Sequence, residues 1–142
     1  KRVTAQAFYE NDRPVYTNYD SLVDFCKTHI MNHEVEEFHV MFLDSAHHLI
    51  EEKMMNSGTV DKVAIYPREV LKEAILKQAK GCVLFHNHPS GTLYPSHADI
   101  ELTKAIAIAA AQCDILIYDH FIITRNGCYS FKDQSLLSEY LA

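Results

Sequence analysis

Two histidines two residues apart, His86 and His88, are followed after ten residues by Asp99. These are residue types that bind metal ions. Side chains at i and i+2 of a strand share a face, with Cα atoms about 6.5–7 Å apart. Two imidazoles at that spacing can converge on one ion at about 2.0–2.1 Å each. Asn87 must then point the other way. A carboxylate from Asp99 completes three ligands and leaves one tetrahedral position for water. That is the arrangement of a catalytic zinc site; structural sites are closed by four protein ligands. A plainer reading stands beside it. An isolated His-x-His pair is a weak signal, and Ser96-x-x-Asp99 is also how an ordinary helix begins, with an acidic group in its first turn. A cap explains neither histidine nor the Pro89-Ser90-Gly91 turn between them and the helix.

The elements that must position these residues can be read from the pattern. Residues 82–86 are a buried strand that ends on the first histidine. Residues 89–95 are a loop hinged at Gly91, and Ser96 opens a long helix over residues 97–112. Residues 38–43 are apolar at every second position in both phases, which marks a central strand covered on both faces. Asp44 to His47 turns into a returning arm over residues 49–55. Leu22, Phe25, Cys26 and Ile30 give a helical stripe to about residue 32. Pro67 sits in the first turn of a second helix, which Gly81 is expected to end as a cap. Short strands are expected at residues 3–9, 63–66, 115–118, 121–125 and 128–131. Asn11 to Pro14 reads as a turn, and Asn126-Gly127 signals a type I′ hairpin. A terminal helix is expected over residues 134–141. The sum is a single α/β domain, a mixed sheet with two or three helices against it.

Composition narrows the function. The 142 residues carry 13 basic and 19 acidic side chains, a net charge of -6. That balance repels phosphate backbones, and no Lys/Arg run interrupts it, so nucleic acid is not the expected partner. No apolar run approaches a membrane span, and no signal peptide follows Lys1. A start at Lys1 suggests a piece of a longer protein. Four dispersed cysteines, Cys26, Cys82, Cys113 and Cys128, read as reduced thiols in a cytoplasmic protein. The deaminase signature, H-x-E followed by P-C-x-x-C, is absent. Of the other histidines, His47-His48 reads as solvated, His97 as exposed, and His29, His33 and His39 lack partner spacing. Asp119-His120 fits a structural hydrogen bond.

The strings His86-Asn87-His88-Pro89-Ser90-Gly91 and Pro95-Ser96, with Asp99, resemble the JAMM metal-binding signature of the JAB/MPN domains. Tyr66-Pro67-Arg68-Glu69-Val70, Asp119-His120, Phe42-Leu43-Asp44, Gly58-Thr59-Val60 and Ser130-Phe131 resemble the bacterial RadC branch. The resemblance runs over about residues 14–137. It implies a curved mixed sheet flanked by helices, similar to the cytidine-deaminase-like architecture. It implies one Zn2+ per chain held by His86, His88 and Asp99. It implies peptide-bond or isopeptide-bond hydrolysis of a peptide or protein substrate, in a bacterial cytoplasm; the alternatives are a DNA-repair-associated accessory protein and a non-catalytic interaction module. The family's glutamate, which takes a proton from the attacking water and passes it to the leaving amine, is assigned to Glu37. Glu36 is the competitor, and one residue's shift moves a side chain to the opposite face. Ser96 would stabilise the oxyanion. Larger RadC-like members carry an N-terminal helix-hairpin-helix segment that could contact DNA. Nothing before Pro14 encodes one, so DNA is not expected to bind this chain alone.

Overall fold

The computed structural model describes residues 7–10, 13–16, 19–57 and 65–142. In chain order the elements are β1 (Ala7–Glu10), β2 (Arg13–Tyr16), α1 (Tyr19–Ile30), β3 (Glu37–Leu43), β4 (Leu49–Ser57), α2 (Pro67–Leu76), β5 (Gly81–Asn87), α3 (His97–Gln112), β6 (Leu116–Thr124) and β7 (Gly127–Ser130). β1 and β2 form a separate antiparallel pair. The other strands form one mixed sheet in the order β4-β3-β5-β6-β7. Among the described strands only β5 and β6 run parallel, and the long helix α3 is the crossover that joins them, as a parallel connection requires.

β3 and β5 are apolar in both phases because both faces of the sheet are covered. Val40, Phe42, Cys82 and Leu84 pack under Val70 and Ala74 of α2 and Ile106 and Ala110 of α3. Met41, Leu43, Val83 and Phe85 face the other way, onto Val23, Cys26 and Ile30 of α1. Each fully buried side chain of this size contributes about 1.5–3 kcal/mol, so the two half-cores fix the sheet between three helices. The β3–β5 register pairs Phe38 with His86.

Several local expectations are corrected. Residues 115–118 and 121–125 are one strand, β6; a ladder irregularity opposite Cys82 and Val83 leaves Tyr118 out of the β5 pairing. Gly81 does not cap α2. The helix stops at Leu76, Lys77 caps it, and the chain turns at Gln78, whose φ is 57°. Gly81 instead opens β5, where a Cβ would stand 2.2 Å from the Tyr118 ring. The β6–β7 hairpin forms, but its two loop residues are Arg125 and Asn126, and positive φ falls only on Gly127 after them, so the turn is not type I′. Residues 134–141 form turns with positive φ at Ser135 and Leu137, which a helix cannot accommodate. His48 is buried beside Asp44 rather than solvated. The expected strand over residues 63–66, the turn at residues 11–14 and the start of the strand at residues 3–9 fall wholly or partly outside the described residues. No disulfide joins the four cysteines. Among the described residues no helix is long and apolar enough to cross a membrane.

Candidate metal centre

β5 ends by delivering His86 and Asn87 to opposite faces of the sheet. His86, 2% exposed, lies on the α2/α3 side. His88 follows, its N–H still donating to Ile123 O of β6 at 3.1 Å. The chain then turns through Gly91, at φ 93°. A side chain there would clash with the Arg125 guanidinium, 2.8 Å from the Cβ position. Arg125 earns that closeness by donating to the carbonyls of Pro89 and Ser90, and Asn126 donates to that of Gly91. The β6–β7 hairpin tip thus holds the loop that carries His88.

α3 begins with a capping box. Ser96 Oγ accepts the Asp99 N–H at 3.0 Å, and Asp99 Oδ2 accepts the Ser96 N–H at 2.8 Å. Both readings of Ser96 and Asp99 therefore meet in one place: the cap aims the Asp99 carboxylate at the two histidines. His86 Nε2 lies 2.9 Å from His88 Nε2 and 3.4 Å from Asp99 Oδ1. His88 Nε2 lies 3.1 Å from Asp99 Oδ2. Ligands at about 2.0–2.1 Å from a tetrahedral ion stand about 3.3 Å from one another, which is this spacing. The fourth member is Glu36, with Oε2 3.9 Å from His86 Nε2. The ligand atoms of Glu36, His86, His88 and Asp99 all lie within 4.8 Å of one another.

The carboxylate that joins the cluster is Glu36, one residue before the expected Glu37. Glu37 is on the other face of the sheet, bound to His39 Nε2 at 2.8 Å and His33 Nδ1 at 3.0 Å. The reason is the pleat. Phe38 pairs with His86 and shares its face, so Glu36 shares that face and Glu37 does not. Asn87 fixes this phase from behind. Its Oδ1 accepts the Glu37 N–H at 2.7 Å, and its Nδ2 donates to Val35 O at 3.0 Å and His33 O at 3.3 Å. Asn87 points away from the cluster, as its place between His86 and His88 on the strand requires.

Electrostatics follow from this packing. Burial pushes the Glu36 carboxyl up from its ordinary value, against the pull of His86 and His88. Burial would also raise Asp99, but the neighbouring His86 and His88 outweigh that whenever they carry a proton towards it, and its value falls well below the carboxylate range. For His88 burial is outweighed by Asp99 and by the Thr92 carbonyl, and its value rises. His120, wholly buried behind His86, is held neutral by burial, which lowers it far below the ordinary value. The cluster opens into a cleft of about 780 Å³ lined also by Phe38, Tyr66, Tyr94 and Leu102, with no lysine or arginine among its described lining residues.

The chemistry of the donor set fits a metal ion. His88 Nδ1 faces the Thr92 carbonyl at 2.8 Å, which can only accept, so in the neutral imidazole that nitrogen keeps the proton and Nε2 turns a lone pair to the cluster. Both carboxylates likewise offer only lone pairs. Such a set repels itself unless a proton or a cation stands within it. Sequence reasoning found His86, His88, Asp99 and Ser96, and weighed Glu36 without choosing it. It did not find Thr103, which contacts His120, or the Arg125 clamp. No local pattern signals either, since both act across the sheet.

A three-layer α/β domain with a His–His–carboxylate cluster at the end of its central strand defines the class: a domain with a candidate metal centre at a strand-to-helix turn. The family model of the RadC-like JAB domain matches residues 16–136. A UPF0758 protein of Rhodobacter capsulatus is 41% identical over 125 residues, 88% of this chain and 58% of the relative. Two UPF0758 proteins of Haemophilus influenzae, from strains PittEE and 86-028NP, are each 40% identical over 124 residues, 87% of this chain and 56% of theirs. The chain thus spans a little over half the length of these curated relatives. It belongs to the RadC-like JAB domain family.

Proposed function

We propose that this domain is a zinc-dependent hydrolase of peptide or isopeptide bonds. The observation that carries the reading is the convergence of Glu36, His86, His88 and Asp99, whose potential ligand atoms all lie within 4.8 Å of one another. His86, His88 and Asp99 would hold the ion, and two imidazoles with one carboxylate suit zinc. A bound divalent cation supplies a positive charge that polarises a carbonyl and acidifies water. Glu36, beside the three ligands and raised by burial, takes the proton of the attacking water and returns it to the leaving amine. Ser96 uses a lone pair in the cap, which leaves its hydroxyl hydrogen to donate towards a developing oxyanion in the cleft. Phe38, Tyr66, Tyr94 and Leu102 offer apolar and aromatic contact for a polypeptide. Two carboxylates and no lysine or arginine among the described lining residues disfavour a phosphodiester substrate, which weighs against a nuclease reading.

Elemental analysis of the purified chain, paired with cleavage of a peptide library with and without chelator, tests this. The expected result is about one zinc per chain, with cleavage lost on chelation and restored by zinc. A chain that takes up no zinc, or cleavage indifferent to chelator, overturns it.

A further inference from the structure

Behind His86 runs a line of buried polar atoms that hydrolysis as described does not use. His86 Nδ1 meets His120 Nε2 at 2.7 Å. His120 Nδ1 meets Thr103 Oγ1 at 2.6 Å, and Thr103 Oγ1 lies 2.7 Å from the carbonyl of Asp99. His120 and Thr103 are fully buried. The His120 ring is stacked on Phe131, 4.7 Å between centroids, and meets Phe38 edge-on. It cannot turn freely.

The direction of this line follows from its last atom. A carbonyl oxygen only accepts, so the Thr103 hydroxyl donates to Asp99 O. Its oxygen is then an acceptor, and His120 Nδ1 carries a proton to meet it. His120, holding its proton on Nδ1, has a bare Nε2 that accepts from His86 Nδ1–H. His86 is left with a lone pair on Nε2, aimed at His88 and Asp99. Reversing every bond would put a proton on His86 Nε2, in the middle of the cluster. The line starts and ends on α3: Asp99 gives its side chain to the cluster and its carbonyl to the relay.

We infer that Thr103 and His120 are positioning residues that lock His86 in its metal-binding tautomer. This rests on the metal centre proposed above. Outer hydrogen-bond partners of metal-ligating histidines typically change metal affinity by about 10–100-fold when removed. Here the outer partner is itself a neutral histidine. A carboxylate there would add charge to the site; a neutral imidazole fixes direction alone.

The test has two readouts, neither of which is activity. The first is the zinc dissociation constant, by competition with a chromophoric chelator, for the unmodified chain, Thr103→Val, Thr103→Ser and His120→Phe. Val keeps the shape of Thr and removes the hydroxyl; Ser restores it. Thr103→Val and His120→Phe should weaken zinc by about 10–100-fold, and Thr103→Ser should bind close to the unmodified chain. The second is the tautomer of His86 in the unmodified, metal-free protein, read from long-range nitrogen–proton NMR correlations. It should be the Nδ1–H form. An Nε2–H form, or folded Thr103→Val and His120→Phe variants that both bind zinc as the unmodified chain does, overturns the lock. Should a variant fail to fold, the NMR measurement decides. An unmodified chain that shows the Nδ1–H tautomer but takes up no zinc would overturn the metal centre and leave the lock standing.

Discussion

The sheet carries two histidine–carboxylate constellations, one on each face, and they are built from neighbouring residues. On the α2/α3 face stand Glu36, His86, His88 and Asp99. On the α1 face His39 sits between two carboxylates, with Nδ1 on Glu52 and Nε2 on Glu37. His33 binds Glu37 from the other side, and His29 stands 3.5 Å from Glu52. The residue types are the same, and Glu36 and Glu37 are adjacent in the chain. The arrangements differ in kind. Around His39, nitrogens and carboxylate oxygens alternate, so each contact can hold a proton and the group is complete as it stands. In the other cluster, nitrogen faces nitrogen at 2.9 Å, and the partners behind both histidines leave their lone pairs pointing inward. One set is an ion-pair chain; the other wants a cation. What marks a metal site is therefore the direction in which its donors point, more than the number of histidines in it.

The largest break in this comparison should come from the ligands themselves. His88→Ala, or Asp99→Asn, which keeps an acceptor for the Ser96 cap, should drop zinc from about one per chain to near none, and hydrolysis with it. His39→Ala should leave zinc content unchanged. Elemental analysis after gel filtration reads both. Next comes the pair of adjacent glutamates. Glu36→Gln should keep its zinc and lose about 10²–10⁴-fold in hydrolysis, the scale of a general base. Glu37→Gln should hydrolyse normally. The opposite result would mean that β3 presents its other phase to the cleft. Ser96→Ala should cost about 10²-fold in rate and about 1 kcal/mol of stability through the lost cap, measured by urea unfolding.

The smallest effect belongs to the α1 face. Burial lowers His39, but its bonds to Glu52 and Glu37 outweigh that and raise it above its ordinary value of 6.5. Burial raises Glu37, but His39 and His33 outweigh that and hold it below its ordinary value of 4.5. The histidine's contribution to stability is therefore complete below 6.5 and is lost as pH rises through its raised value. The glutamate's contribution is complete above 4.5 and is lost as pH falls through its lowered value. Unfolding free energy should fall by the order of 1 kcal/mol on the alkaline side, and His39→Gln should reduce that loss without abolishing it, because His88 is raised as well.

These tests also mark what a single sequence could say. His86, His88 and Asp99 were legible because their geometry is local: one strand end, one loop and one helix start. The long helix His97–Gln112 was legible to the residue, because Ser96 and Asp99 announce its beginning. The choice between Glu36 and Glu37 was not legible. β3 is apolar on both faces, so its alternation carries no sign, and the phase is set by pairing with β5, about a third of the chain away. The same limit hid Asn87's grip on the segment before β3 and the line through His120 to Thr103, which exist only once β5, β6 and α3 are packed. His29 and His39 both meet Glu52 of the neighbouring strand β4, a partner that no sequence spacing betrays, whereas Glu37 lies only four residues from His33 and two from His39.

The central claim is where the cation binds. Anomalous diffraction at the zinc edge, from crystals of the zinc-loaded chain, locates it directly. One peak per chain should lie within about 2.0–2.2 Å of His86 Nε2, His88 Nε2 and an Asp99 carboxylate oxygen, with Glu36 beside it. A principal peak on the α1 face, among His33, Glu37, His39 and Glu52, or loaded crystals with no peak at His86 and His88, would contradict the account.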